Sequence, residues 1–170
     1  MEALAQTPTA PAPEVKAPPR LYDVPDGVEA YVQRFTEIWA EPRNAESFTD
    51  RFMDYVDPDI TMIQPWLFYP MCHGVKGFKK QFRRYFTALP DLNGRVIRWS
   101  AMGDTVWIEL ELTCWHRRRP LSFRVIDRTI MRDGRAIERR VFGDPLPLLL
   151  GAMTRPYAWP RALLSYLRPR

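Results

Sequence analysis

Leu121–Leu149 reads LSFRVIDRTIMRDGRAIERRVFGDPLPLL, two long strands joined at Asp133-Gly134. Gly takes positive φ cheaply, and Asp-Gly between two alternating runs marks a tight hairpin. Strand side chains point to opposite faces in turn. Phe123, Val125, Asp127, Thr129 and Met131 therefore share one face, and Arg124, Ile126, Arg128, Ile130 and Arg132 share the other. Asp127 is an acid on the more apolar face, and that misfit makes it the first candidate for function. Two hairpin registers fit these letters. A two-residue loop sets Arg140 across from Asp127, and a three-residue loop, Arg132-Asp133-Gly134, sets Arg139 there. The second is preferred because it turns Ile137 and Val141 inward with Val125, whereas the first turns Glu138 and Arg140 inward. Either one places an arginine opposite the acid, where a charge-assisted pair forms.

The strand before the hairpin, Asp104 to His116, has Val106, Ile108, Leu110, Leu112 and Cys114 on its core side and Trp107, Glu109, Glu111, Thr113 and Trp115 on the other. A shorter strand, Arg95 to Trp99, precedes it. Glu109 and Glu111 have the look of an acid–base pair of carboxylates. Arg124 and Arg128 stand at cross-strand positions, however, and a Glu–Arg ladder on the outer face accounts for both acids. Trp107, Trp115, Ile126 and Ile130 stud that same face. Large apolar groups among charges point to a partner, most simply a second copy of the chain, so a homodimer through the outer sheet face is expected.

Upstream the period changes to helical. Val28, Tyr31, Val32, Phe35, Ile38 and Trp39 mark a first helix, with Asp26 as N-cap and Pro42 beyond its end. A second, short helix turns Ala45, Phe48, Phe52 and Val56 inward and ends at Pro58. Ile60–Gln64 and Tyr69–His73 read as short strands around a Gln64-Pro65-Trp66-Leu67 bend. A third helix, Val75 to Leu89, buries Phe78, Phe82, Tyr85, Phe86 and Leu89. Its Lys79, Lys80, Arg83 and Arg84 form a solvated face. Residues 1–25, with Pro8, Pro11, Pro13, Pro18, Pro19 and Pro25 and few large apolar groups, read as a disordered leader. Residues 26–153 form the domain, and 154–170 form a basic amphipathic tail.

At 170 residues, 46% hydrophobic, the chain suits one domain with tails. The net charge is +5, but Arg155, Arg161, Arg168 and Arg170 supply four of those charges and the tail has no acid. The remainder is nearly neutral, which is not the footprint of a nucleic-acid-binding domain. No apolar run approaches the roughly 18 to 20 residues of a membrane span, and the N-terminus lacks a signal-peptide pattern, so the expected location is cytoplasmic. Cys72 and Cys114 have no metal-ligand spacing, and there is no glycine-rich phosphate loop or nucleophile elbow. No metal and no cofactor are expected. The tail sets Tyr157, Trp159, Leu163, Leu164, Tyr166 and Leu167 among its arginines, a pattern that suits peripheral contact with an anionic membrane surface or docking on the domain or a partner.

The element order, Gly74 before the third helix, Leu89-Pro90-Asp91 after it, and above all IDRTIMRDGRAIERRVFGDPLPLL resemble the SnoaL-like polyketide cyclase and ketosteroid isomerase superfamily, over about Pro25 to Met153. The resemblance implies an α+β fold: a curved, mainly antiparallel mixed sheet wrapped round a long N-terminal helix, leaving a cone-shaped pocket. The family's functional residues carry over in part. Ketosteroid isomerases have a helix Tyr, a base Asp on the first strand and a protonated Asp in the late hairpin. Phe35, Gln64 and Asp127 stand at these places here, so one group of three survives and the base is lost. The epoxide-hydrolase pattern would fall near Ile108, Leu110 and Val141, none of them polar.

Asp127 is then either one half of a structural ion pair or a polar anchor for a ligand carbonyl or hydroxyl in an apolar pocket. His73, at the end of the second short strand, carries a side chain of the type that can serve as acid or base, and Tyr69 shares its face. The candidate catalytic set is Asp127, His73 and Tyr69, and the candidate pocket set is Phe35, Trp39, Gln64, Leu110, Leu112, Val125, Arg139 and Val141. Two functions fit: cofactor-free isomerase, cyclase or dehydratase chemistry on a lipophilic polyketide- or steroid-like molecule, or noncatalytic binding of such a molecule or of a protein on the same scaffold.

Overall fold

Alternation and helical spacing place the elements where the computed structural model has them; it describes residues 27–41, 44–64, 71–89, 91–116, 119–154, 156 and 159–167. In chain order these are α1 (Val28–Ala40), α2 (Ala45–Asp50), a 3-10 turn (Met53–Tyr55), β1 (Val56–Ile63), β2 (Met71–His73), α3 (Gly74–Ala88), β3 (Asn93–Met102), β4 (Thr105–His116), β5 (Arg119–Arg132), β6 (Arg135–Gly143), α4 (Leu146–Met153) and α5 (Trp159–Leu167). The leader with Asp26, Pro42, the Pro65–Leu67 bend, Tyr69 and Tyr157 lie outside the described residues.

One six-stranded sheet runs β2-β1-β6-β5-β4-β3. It is antiparallel except where β1 lies parallel to β6. The expected α+β architecture is the one observed. Helix α1 packs against β3, and α3 packs against β1 and α2. The six apolar positions read from α1, Val28 through Trp39, are all buried. Between helices and sheet lies an aromatic core: Phe48 meets Phe82 at 4.7 Å and Trp39 at 4.8 Å between ring centroids, and Phe78 meets Phe82 at 4.8 Å. Such tilted and edge-on pairs are the favoured ring geometries.

Three local expectations need correction. The second helix ends at Asp50, and Val56 and Pro58 belong to β1. The β1–β6 pairing is irregular between Val56 and Thr61, and this irregular stretch tolerates a proline that has no N–H to give. Helix α1 is preceded by Gly27 at φ 88°, with no side-chain cap.

The third correction concerns the hairpin. Arg132 pairs with Arg135, so the turn is the two-residue Asp133-Gly134, at φ 51° and 74°. Positive φ at both central residues is the type I′ signature. Yet Ile130 pairs with Glu138 while Met131 pairs with Ala136, so Ile137 is an extra residue on β6. A bulge of this kind flips the alternation beyond it. It turns Arg139 and Val141 inward, and both are buried. Of the expected inward set, Arg139 and Val141 are buried, but through a bulge and not a longer loop; Ile137, expected inward, is the half-buried extra residue, with Ala136 buried in its place, and no arginine stands directly opposite Asp127. Val141 is the Cα partner of Asp127, and Arg139 is the partner of Thr129.

A second bulge, at Ile97 on β3, lets Arg95 and Arg98 both stand beside the acids of β4. Arg98 bonds Glu109 at 2.6 Å, Arg95 bonds Glu111 at 2.9 Å, and Arg124 reaches Glu109 at 3.5 Å. The Glu–Arg ladder is present, though Arg128 pairs with Glu138 on β6 and not with a β4 acid. The Arg95 hydrogen bond holds the Glu111 carboxyl below its ordinary range.

At Gly94 on β3 the Trp39 ring of α1 packs tightly against the sheet. A Cβ there would lie 3.1 Å from side-chain atoms of Trp39, Leu110 and Leu112 alike. Gly94→Ala is expected to destabilise the fold by about 1 to 3 kcal/mol through overpacking. Urea unfolding checks this; an unchanged midpoint would mean that Trp39 is not pinned.

Candidate functional site

Strand β5 contributes Asp127 and Thr129 to the concave face, and the bulge brings Arg139 of β6 beside them. Asp127 and Arg139 are each only 1% exposed, and Arg139 is the largest fully buried side chain among the described residues. Its Nε donates to Asp127 Oδ2 at 3.2 Å, and its Nη2 donates to the same oxygen. Thr129 Oγ1 donates to Asp127 Oδ1 at 2.9 Å. A hydroxyl has one proton, so at 3.2 Å Tyr31 must donate to Thr129. The chain of bonds runs from Tyr31 through Thr129 to the carboxylate, and Arg139 closes it from the other side.

The guanidinium carbon of Arg139 lies 5.2 Å from the ring centre of Phe35, 5.5 Å from Phe52 and 5.9 Å from Phe78. These rings exclude water and present their negative faces to the cation. Burial alone would lower the arginine's proton affinity, but the attraction of Asp127 outweighs it, and the group is held above its ordinary value. Tyr31 is also raised, here by burial itself, which disfavours its phenolate and pushes its pKa from 10.0 to about 12.

Beside this pair is a hollow of ≈ 510 Å³, measured out through its open mouth. Its lining is almost wholly apolar. Trp39, Gln64, Leu110, Leu112, Val125, Asp127, Arg139 and Val141, all expected there, do line it. Phe35 does not: it is fully buried behind the hollow, packed on Arg139. His73 does not either. It is exposed at the end of β2, with Nδ1 3.0 Å from Thr61 Oγ1. The structure therefore separates His73 from Asp127, and Tyr69 lies outside the described residues. Sequence reasoning missed Met62, Leu92, Phe123, Phe82 and Tyr85 from α3, and Leu89 just past its end. The spacing of Phe82, Tyr85 and Leu89 marks them as apolar core positions, and nothing in it separates a residue that fills the core from one that borders a void. Tyr85 accepts a 2.7 Å bond from Gln81, and burial pushes its phenol well above the ordinary value.

Three of the lining residues each carry one buried polar atom with no protein partner: Arg139 Nη1, Trp39 Nε1 and Gln64 Oε1. Buried polar groups are almost always satisfied, so two donors and one acceptor without a protein partner stand out among the residues that line this hollow. Asp127, by contrast, has its lone pairs occupied by Arg139 and Thr129, which suits it to hold the cation and not to exchange protons. No group of three or more His, Cys, Asp or Glu side chains that could hold a metal occurs among the described residues.

A SnoaL-like domain family model matches residues 28–139. No curated protein matches the chain. Among solved structures, a protein assigned as a polyketide cyclase from Acidithiobacillus ferrooxidans superposes with a TM-score of 0.65 at 17% identity, over 78% of this chain and 98% of that one. One assigned as a SnoaL-like polyketide cyclase from Jannaschia sp. CCS1 gives 0.61 at 20% identity, over 78% and 94%. TerC, co-crystallised with polyporic acid, gives 0.60 at 16% identity, over 71% and 95%. At these identities the likeness shows the fold alone.

Two outcomes are expected from this geometry. Arg139→Met leaves Asp127 buried without its partner and should cost about 3 to 5 kcal/mol in denaturant unfolding, most of it regained in Arg139→Met/Asp127→Val. If the double variant is no more stable than the single, the pair is not the source of the loss. The second concerns alkaline pH. Tyr31 has its folded pKa raised, so its contribution is fully present below pH 10.0 and is lost as pH rises toward about 12. Tyr31→Phe should unfold with a shallower fall in stability across that window, read from urea midpoints.

Proposed function

The chain belongs to the SnoaL-like domain family, and on that premise we propose that it binds a lipophilic, carbonyl-bearing small molecule of polyketide type and polarises its oxygen without a cofactor. The observation that carries this is the set of unpartnered atoms, Arg139 Nη1, Trp39 Nε1 and Gln64 Oε1, on residues bordering an apolar hollow. An apolar body fills such a space, and a few placed polar groups orient it. A carbonyl oxygen accepts from Arg139 and Trp39, and an enol or hydroxyl proton is donated to Gln64. The carbonyl family of ligands is supported by the neighbouring polyketide cyclases and by the polyporic acid held by TerC.

Donors fixed in a dry site favour the form of a ligand with more negative charge on that oxygen. For a β-dicarbonyl compound that form is the enolate, and enolisation is the first step of the isomerisations and aldol cyclisations run on this fold class. Gln64 stands where an isomerase base would be and cannot take a proton. The carbon-bound proton on this reading passes to water at the open mouth of the hollow, its loss made easier by the acidity of the substrate and by electrophilic assistance from Arg139 at the carbonyl oxygen. A second reading, a noncatalytic carrier using the same hollow, is favoured by the full occupancy of the Asp127 carboxylate. On the outer face Trp107 stacks with Phe142 at 6.1 Å and Ile126 stands exposed. We place the contact with a second copy of the chain there, and native mass spectrometry at the dimer mass tests it.

Polyporic acid and p-terphenyl, which has the same three-ring skeleton without the oxygens, test the binding claim by calorimetry. The acid is expected to bind at least about tenfold tighter, with most of that margin lost in Trp39→Phe, as for loss of a bond to a preorganised donor. Equal binding of the two, or no binding of either, defeats the reading. Deuterium exchange at the central carbon of 1-phenyl-1,3-butanedione, followed by NMR, then separates catalyst from carrier: acceleration over buffer that Trp39→Phe reduces marks a catalyst.

A further inference from the structure

Helices α4 and α5 each lean on the domain with one side and leave the other bare. Helix α4 packs on β5, and α5 packs along α3 with Ser165 buried. On α5 Leu163, Leu164 and Leu167 are exposed at 61%, 49% and 70%, and on α4 Leu146, Leu149, Leu150 and Met153 are all more than half exposed. An apolar display of this size on the surface of a domain marks a contact site.

Helices α3 and α5 themselves carry charge of one sign and α4 carries none, although the acids Glu46, Asp50 and Asp144 stand nearby. From Pro145 to Arg170 there are four arginines and no acid. Helix α3, on which α5 lies, carries Lys76, Lys79, Lys80, Arg83 and Arg84 and no acid either. Lys79 and Arg83 are paired with Asp50 and Glu46, while Lys76, Lys80 and Arg161 are exposed. A second copy docking here by two-fold symmetry would bring these like charges together. A nucleic acid would match the charge but leave the leucines uncovered. An anionic bilayer matches both, with acyl chains for the leucines and headgroups for the lysines and arginines.

We propose that α4, α5 and the basic side of α3 form a peripheral docking surface for an anionic lipid bilayer. Helix α5 has 9 residues, far short of the roughly 20 a span requires, and no helix among the described residues is long and apolar enough to cross. The helix lies in the interface. The surface would bring the hollow of a domain that takes lipophilic molecules next to the phase where such molecules dissolve, although the docking itself does not depend on what the hollow binds.

Co-sedimentation of the full chain with vesicles tests this, using phosphatidylcholine with roughly one-third phosphatidylglycerol against phosphatidylcholine alone. Binding is expected on the anionic vesicles only, weakening as salt is raised. Leu163→Ser/Leu164→Ser, both exposed and so neutral for the fold, should weaken it at least about tenfold. Lys76→Gln/Lys80→Gln should weaken it about tenfold on its own. Thermal unfolding of both variants verifies the fold. No binding at low salt, equal binding to both vesicle types, or wild-type binding by the leucine variant overturns the proposal. Self-association that the leucine variant abolishes, with no vesicle binding, assigns the surface to a second copy and overturns it as well.

Discussion

A guanidinium almost fully shut away from water is the constraint on which this molecule depends. Arg139 is the cation in question, ringed by Phe35, Phe52 and Phe78. Burying such a charge unpaired would be prohibitive, and even a paired one does not by itself make a protein more stable. What it does is penalise every arrangement in which the pair is broken. The arginine must face Asp127, so β6 must carry its extra residue, and Thr129 and Tyr31 must stand where they complete the carboxylate's bonds. Helix α1, strand β5 and strand β6 are thereby locked into one register about one ion pair.

The same pair shapes the hollow. Asp127 takes two of the arginine's donor nitrogens and leaves the third, Nη1, open. Asp127 is therefore saturated by its neighbours, while the arginine keeps one nitrogen without a protein partner. The two faces of the sheet treat charge in opposite ways. Outside, Arg95, Arg98, Arg124 and Arg128 sit in water-facing pairs with glutamates, each worth little. Inside, one pair is nearly free of solvent screening and dominates its surroundings.

The C-terminal helices follow a different logic from the rest of the chain. Elsewhere large apolar side chains turn inward, and the α1 face from Val28 to Trp39 is buried throughout. In α4 and α5 most of the leucines turn out, while Ser165 of α5 is buried. The domain thus reads as two parts by the direction of its apolar surface: a closed roll, and an appended pair of helices that leaves apolar area uncovered beside a basic helix.

Much of this was legible in the letters, because periodicity is a local property. Alternation from Val106 to Cys114 and from Phe123 to Met131, helical spacing from Val28 to Trp39, and Asp133-Gly134 at the turn are enough to specify strands, helix and hairpin, and with them the family. They also place Asp127 on the concave face, and most of the residues around the hollow. The bulge at Ile137 was not legible. No residue type there announces it, and it is chosen because the alternative buries Glu138 and Arg140 in place of Arg139 and Val141. Nor could spacing tell that Phe35 packs behind the hollow while Phe82 and Tyr85 border it, or that His73 ends up exposed and apart from Asp127. Those outcomes depend on which side chains from distant strands compete for the same space and on where a buried charge can find its partner, and such competition exists only once the sheet has closed over the helices.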